Sequence, residues 1–177
     1  MLKRHRFEFS QNTFGGSLAC TAVATLAACG FADGSVTMED FEKYCRIGSK
    51  IWKQTSGWNT MDAEQIINHY DFFKDTYTIE SYQSYTSTER AGLISITKLL
   101  ETLVQENHSK ESFGIVMTDG GVSFAVGHLD GKWWLFDSHS TPTATLYQCS
   151  VDQIEGLVVQ HLTRGSDCVF DATSIVK

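Results

Sequence analysis

The feature of the sequence that most restricts the fold is a run of three strand-like segments in its second half. The segments SFGIVMTD (112–119), GVSFAVGH (121–128) and KWWLFDSH (132–139) are rich in the β-branched and aromatic residues that strands favour. Asp130-Gly131 lies between the second and third segments, and this dipeptide favours a two-residue hairpin turn. The run therefore predicts an antiparallel sheet.

The same turn decides which histidine can meet the carboxylate of Asp137. With the turn centred on Asp130-Gly131, His128 lies beside the turn, roughly 13 Å along the ladder from Asp137 at about 3.3 Å per residue. His139 follows Asp137 by two residues, so both side chains are predicted to point to one face, where they can hydrogen-bond. The alternative is that Asp137 only ends the strand and His139 begins a polar loop.

The first half of the chain carries helical patterns. SLACTAVATLAACG (17–30) is small and apolar, with Ser17 placed as N-cap and Gly30 as the C-terminal stop. Three further segments, 37–52, 61–73 and 88–106, are also predicted to be helices.

The remaining elements follow the predicted sheet. A helix is expected at 150–163, because Ser150 and Gln153 have capping-box spacing, and a final strand is expected at 168–176. The fold class predicted for the chain is α+β, with a helical first half and an antiparallel sheet in the second half, in a single domain spanning 1–177.

Cys20 is the candidate nucleophile of this arrangement. If Ser17 caps the helix, Cys20 occupies its third position, where backbone N–H groups and the helix dipole lower a thiol pKa. Gln11, nine residues upstream, can supply a side-chain amide to a developing oxyanion, and Asn12 is the rival donor. The other cysteines are predicted to be small core residues: Cys29, Cys45, Cys149 and Cys168.

Composition excludes several other classes of function. The formal net charge of −7 argues against binding to a phosphate backbone. Five irregularly spaced cysteines without a CxxC pair argue against a disulfide framework and a zinc site, and favour free thiols in a reducing compartment. No apolar stretch reaches transmembrane length, and the N-terminal segment lacks the apolar region of a signal peptide. No metal, cofactor, nucleic acid or membrane is therefore predicted as a partner.

Two short motifs carry a family resemblance. SQNTFGGSLAC and WWLFDSH resemble motifs of the deubiquitinase domain of herpesvirus large tegument proteins and of tegument-like relatives outside viruses. The resemblance implies a papain-like cysteine protease fold with Gln11 as oxyanion donor, Cys20 as nucleophile, Asp137 as orienting acid and His139 as base. Relatives often have proline between the acid and the histidine, where this chain has Ser138, interpreted here as a spacer.

The function implied by this resemblance is thiol-dependent hydrolysis of the peptide or isopeptide bond after the C-terminal Gly-Gly of ubiquitin. Ubiquitin or ubiquitin chains would be the substrate of a monomeric enzyme without a cofactor. Three alternatives stay open: a protease of another ubiquitin-like modifier or of ordinary peptides, a non-catalytic ubiquitin-binding module, and an acyltransferase or transglutaminase-like enzyme with the same triad.

Overall fold

A computed structural model of the chain describes residues 1–55, 62–86, 93–120, 122–139, 143–162 and 168–177. Within these residues, helices predominate before Thr78 and strands predominate after it. In chain order they are β1 (Lys3–Arg6), a short 3-10 helix (Gln11–Phe14), α1 (Cys20–Ala32), α2 (Met38–Gln54), α3 (Ala63–His69), α4 (Asp71–Thr76), β2 (Thr78–Tyr85), β3 (Ile94–Ser95), α5 (Ile96–Glu106), β4 (Ser112–Asp119), β5 (Val122–Leu129), β6 (Lys132–Asp137), β7 (Thr145–Cys149), α6 (Val151–His161) and β8 (Val169–Val176).

The strands form one eight-stranded sheet in the order β1-β7-β6-β5-β4-β8-β2-β3. Neighbouring strands run antiparallel, except that β2 and β3 run parallel. The expectation of a helical first half was wrong in part, because β1 and β2 come from that half. β2 pairs along its whole length with β8, the last strand of the chain, so its partner is remote in sequence.

The hairpin predicted from Asp130-Gly131 is present. Both residues have positive φ, 50° and 71°, as a two-residue turn of the primed type requires. Ala125 faces Phe136 in the β5–β6 ladder, which is the register that a turn centred on these residues gives. His128 faces Trp133 close to the turn, so the ladder separates it from Asp137 at the far end of β6.

Helix α1 lies tightly against the middle of the sheet, and every one of its residues is buried. Glycines on the strands make this close approach possible. A Cβ added at Gly114 of β4 would overlap the backbone carbonyl of Ala28, and one at Gly127 of β5 would overlap the ring of Phe31. The small residues predicted for this helix therefore serve a backbone-to-backbone contact with the sheet.

Both predicted ends of α1 were wrong. The N-cap is Ala19 instead of Ser17, because the backbone makes a separate turn closed by the N–H of Ala19 bonding to the carbonyl of Gly16. Gly30 lies inside the helix, where a Cβ would overlap the hydroxyl of Tyr44. The left-handed glycine that follows the helix is Gly34, with φ of 75°.

The remaining predicted helices were placed well, with shifted ends. α2 begins after Thr37 with a capping box to Asp40, and α6 begins after Ser150 with the expected capping box to Gln153. The helix expected at 61–73 is divided at Tyr70 into α3 and α4. The helix expected at 88–106 covers 96–106, while 88–92, like 61 and 163, lie outside the described residues.

Helices cover both faces of the sheet. One core packs α1 and α2 against it, with Phe31, Phe41 and Phe136 among its large side chains. The other packs α5 and α6 against it, around Trp133 and Phe124. Within the described residues, no helix combines the length and apolar character needed to cross a membrane.

Candidate functional site

Cys20 lies at the first position of α1, where the helix meets the sheet. Its N-cap neighbour Ala19 has no side-chain acceptor, so no side chain of that residue caps the N–H groups of the first turn. Those groups and the positive end of the helix dipole therefore lie next to the sulfur atom. Only 6% of the Cys20 surface is exposed, so access of a reagent to the thiol is restricted.

Asp137 and His139 form the pair that the hairpin register predicted. The His139 ring nitrogen Nδ1 lies 3.0 Å from Asp137 Oδ1, and the His139 backbone N–H donates to the same oxygen at 2.8 Å. The carboxylate therefore accepts from both the ring and the backbone of His139 and fixes which ring nitrogen carries the proton. Asp137 is 9% exposed, so this bond is shielded from solvent.

The thiol of Cys20 and the imidazole of His139 are hydrogen-bonded to each other. Burial alone would raise the thiol pKa, but the hydrogen bond to His139 and the charge of that ring outweigh it and lower the pKa below 9.0. Burial likewise opposes the charged form of His139, but Asp137 and Cys20 raise the pKa of the ring to about 10. Both shifts favour a thiolate beside an imidazolium.

Asp137 is held in its charged form by the same contacts. Burial opposes its ionisation, but the hydrogen bonds from His139 more than offset this and lower the carboxyl pKa. The three pKa shifts together favour alternating charges, minus on Cys20, plus on His139 and minus on Asp137.

Two donors besides His139 contact the sulfur of Cys20. The backbone N–H of Ser123 on β5 and the hydroxyl of Thr21 both hydrogen-bond to it and lower its pKa. The Thr21 hydroxyl lies 2.8 Å from the hydroxyl of Ser123, which in turn lies 2.9 Å from that of Thr118. Sequence patterns do not predict this hydroxyl chain, because its members come from three separate elements, α1, β4 and β5.

Gln11 is buried beside the site, with 1% of its surface exposed. Its Nε2 donates to the carbonyl of Ser17 at 3.1 Å, and its Oε1 accepts from the hydroxyl of Ser138 at 2.7 Å. The interpretation of Ser138 as a spacer was wrong, since its side chain is 2% exposed and makes this bond. The rival donor Asn12 is exposed on the surface of the 3-10 helix.

His161, at the end of α6, is a site residue that the sequence did not reveal. Its Nε2 lies 3.7 Å from Asp137 Oδ2, the oxygen that His139 does not use, and its Nδ1 lies 2.7 Å from the carbonyl of Leu157. That carbonyl can only accept, so Nδ1 carries a hydrogen. Asp137 thus lies between two imidazoles.

The other histidine and cysteines considered from the sequence lie outside this network. His128 stacks on Phe113 with ring centroids 5.3 Å apart, and burial lowers its pKa. Burial raises the pKa of Cys29, that of Cys45 to about 12 and that of Cys149 to about 11. Among the described residues, no group of three or more potential metal ligands could hold an ion.

No protein-family model matches the chain, and no curated protein matches it either. Its fold is similar to that of the ubiquitin-specific protease encoded by murine cytomegalovirus tegument protein M48, solved in complex with a ubiquitin-based suicide substrate. The TM-score is 0.66 at 14% sequence identity, and the match covers 98% of this chain and 85% of that chain. The likeness therefore shows a shared mixed α/β fold.

Proposed function

We propose that the chain is a single cysteine protease domain of the papain-like type and acts as a deubiquitinase. The observation that carries the proposal is the hydrogen-bonded series from Cys20 to His139 to Asp137 at the start of a buried helix. The shared fold with a ubiquitin-specific protease supports ubiquitin as the substrate. The net charge of −7 suits a basic substrate tail.

The proposed reaction begins with attack of the Cys20 thiolate on the carbonyl carbon after the terminal Gly-Gly. The developing oxyanion is held by the backbone N–H of Cys20 and by the amide of Gln11. The imidazolium of His139 gives its proton to the leaving amine, and an acyl-enzyme thioester remains. His139, now neutral, takes a proton from water, which attacks the thioester and releases the C-terminal carboxylate.

The roles of the two supporting residues follow from their contacts. Asp137 holds the Nδ1–H of His139, so that the opposite ring nitrogen faces the thiol, and it stabilises the imidazolium. Gln11 has two Nε2 hydrogens, and Ser17 accepts only one of them. Within the described part of the chain the other has no acceptor, which leaves it for the substrate oxyanion.

A ubiquitin probe with a C-terminal alkyne tests the proposal directly, because the alkyne reacts only with a correctly placed thiolate. We expect labelling of the wild type, none of Cys20→Ala, and a loss on the order of a thousandfold or more for His139→Ala. His128→Ala is the matched control, since it also removes an imidazole from the same sheet and should label normally. Loss of labelling in His128→Ala but not in His139→Ala would contradict the assignment.

The same experiment separates the alternatives. Probes built on other ubiquitin-like modifiers that react faster than the ubiquitin probe would assign the enzyme to one of those modifiers. Tight binding of ubiquitin without labelling of Cys20 would indicate a binding module. Incorporation of an added amine that exceeds hydrolysis would indicate an acyltransferase.

A further inference from the structure

Ser138 stands between the acid and the base of the site, yet its side chain does not contact either of them. Alternate residues of an extended chain point to opposite sides, so Asp137 and His139 share one side and Ser138 takes the other. On that side its hydroxyl lies 2.7 Å from Gln11 Oε1. The backbone supports the same contact, since the N–H of Gln11 donates to the carbonyl of Ser138 at 3.3 Å.

The direction of these bonds fixes the orientation of the Gln11 amide. The carbonyl of Ser17 can only accept, so the group 3.1 Å from it must be Nε2. Oε1 then faces Ser138, and the serine hydroxyl must be the donor of that bond. The Ser17 carbonyl selects this orientation, and the hydroxyl of Ser138 anchors the opposite end of the amide; without the hydroxyl, the amide would be held at its nitrogen end alone.

We propose that Ser138 is a positioning residue that anchors the amide oxygen of Gln11, so that the amide nitrogen is held in place beside the nucleophile helix. This proposal rests on the proposed function, in which that nitrogen receives the substrate oxyanion. Ser138 itself touches no reacting atom. Loss of the Ser138 hydroxyl should therefore slow only the steps that form an oxyanion. The pKa of the Cys20 thiol is lowered by other contacts, in which Ser138 takes no part.

This difference allows the role to be measured with two reagents. Iodoacetamide alkylates the thiolate by displacement of iodide at carbon, without an oxyanion. p-Nitrophenyl acetate acylates the same thiolate through a tetrahedral oxyanion and releases p-nitrophenolate. We expect Ser138→Ala to leave the rate and pH profile of Cys20 alkylation unchanged, and to slow Cys20 acylation by about 10- to 100-fold, less than the loss of a whole oxyanion donor.

Three variants make the result specific. Ser138→Thr keeps the hydroxyl and should restore most of the acylation rate. Ser84→Ala removes another fully buried serine, whose hydroxyl donates to the carbonyl of Ile94 at 2.8 Å in a distant part of the sheet, and should have no effect on acylation. In a Gln11→Ala background, Ser138→Ala should cause no further loss, because the two residues act through one amide.

The outcomes distinguish this proposal from the proposed function. Equal acylation rates for wild type and Ser138→Ala, or equal losses in alkylation and acylation, would overturn the positioning role. Hydrolysis of a fluorogenic ubiquitin C-terminal substrate, measured in parallel, tests the substrate. If the wild type does not hydrolyse the ubiquitin substrate, but Ser138→Ala slows acylation and not alkylation, ubiquitin is rejected as the substrate and the role of Ser138 is retained.

Discussion

Asp137→Asn removes one charge from the site while keeping nearly the same shape. The asparagine oxygen can still accept from the backbone N–H and the Nδ1–H of His139, which Asp137 Oδ1 holds at 2.8 and 3.0 Å. Its NH₂ group would face Nε2 of His161. When the His161 ring is neutral and its Nδ1–H bonds to the carbonyl of Leu157, Nε2 carries a lone pair that can accept a hydrogen bond from this NH₂ group. The variant therefore tests the carboxylate charge with little change in geometry.

The magnitude follows from the distance between His139 Nδ1 and Asp137 Oδ1. Two unit charges at this separation attract by about 5.5 kcal/mol at an effective dielectric constant of 20, and by about 1.4 kcal/mol in bulk water. The side chains of His139 and Asp137 are 30% and 12% exposed, so the value lies toward the upper limit. A loss of about 3 to 5 kcal/mol corresponds to about 10²- to 10⁴-fold in a rate that needs the imidazolium.

Alkylation of Cys20 as a function of pH is the assay, with the modified peptide quantified by mass spectrometry. Asp137 supports the imidazolium, and the imidazolium supports the thiolate, so the variant should lower the pKa of His139 and raise that of Cys20. Alkylation near neutral pH should then fall, and the increase in rate should move toward the ordinary thiol pKa of 9.0. Superimposable pH profiles with unchanged kcat/KM would refute the reasoning.

Two further predictions concern the frame of the site. Gly114→Ala should lower the free energy of unfolding by about 1 to 3 kcal/mol, because the added Cβ would overlap the carbonyl of Ala28. Gly156→Ala should raise it by about 0.5 to 1 kcal/mol, because no atom lies within 4 Å of the Cβ that would be added at this position of α6. Urea titration of both variants measures the two changes in the free energy of unfolding. Changes of the same sign and similar size would contradict the close packing of Gly114 against Ala28. His161→Phe keeps a ring beside Phe124 but removes the imidazole whose positive charge favours the ionised form of Asp137, so kcat/KM should fall several-fold, less than in Asp137→Asn, with the unfolding midpoint unchanged. A kcat/KM equal to wild type would exclude a supporting role for that imidazole.

The parts of the fold that the sequence predicted are those decided by local chemistry. The β5–β6 hairpin followed from Asp130-Gly131, because few other dipeptides adopt positive φ at both positions. The pairing of Asp137 with His139 followed in turn, since it needs only that register and a separation of two residues. Capping boxes likewise located the starts of α2 and α6.

The parts that were missed depend on contacts between distant segments. Gly30 has the local character of a helix stop, but Tyr44 of the next helix occupies the space that a side chain would fill, and the helix continues. β2 gains its strand conformation by pairing with β8. His161 meets Asp137 only because α6 ends beside β6, which no spacing in the sequence indicates.

The end of β6 combines the two halves of the proposed chemistry. In the proposed reaction, Asp137 would orient the group that gives a proton to the leaving amine, and Ser138, the next residue, would anchor the amide that receives the oxyanion. Asp137 is itself paired with Thr145 of β7, so its backbone is fixed by the sheet as well as by its own hydrogen bonds. Because one strand end holds both groups against the start of α1, a small displacement of that end would misalign both relative to Cys20. The β6–β7 pairing therefore helps to place both groups.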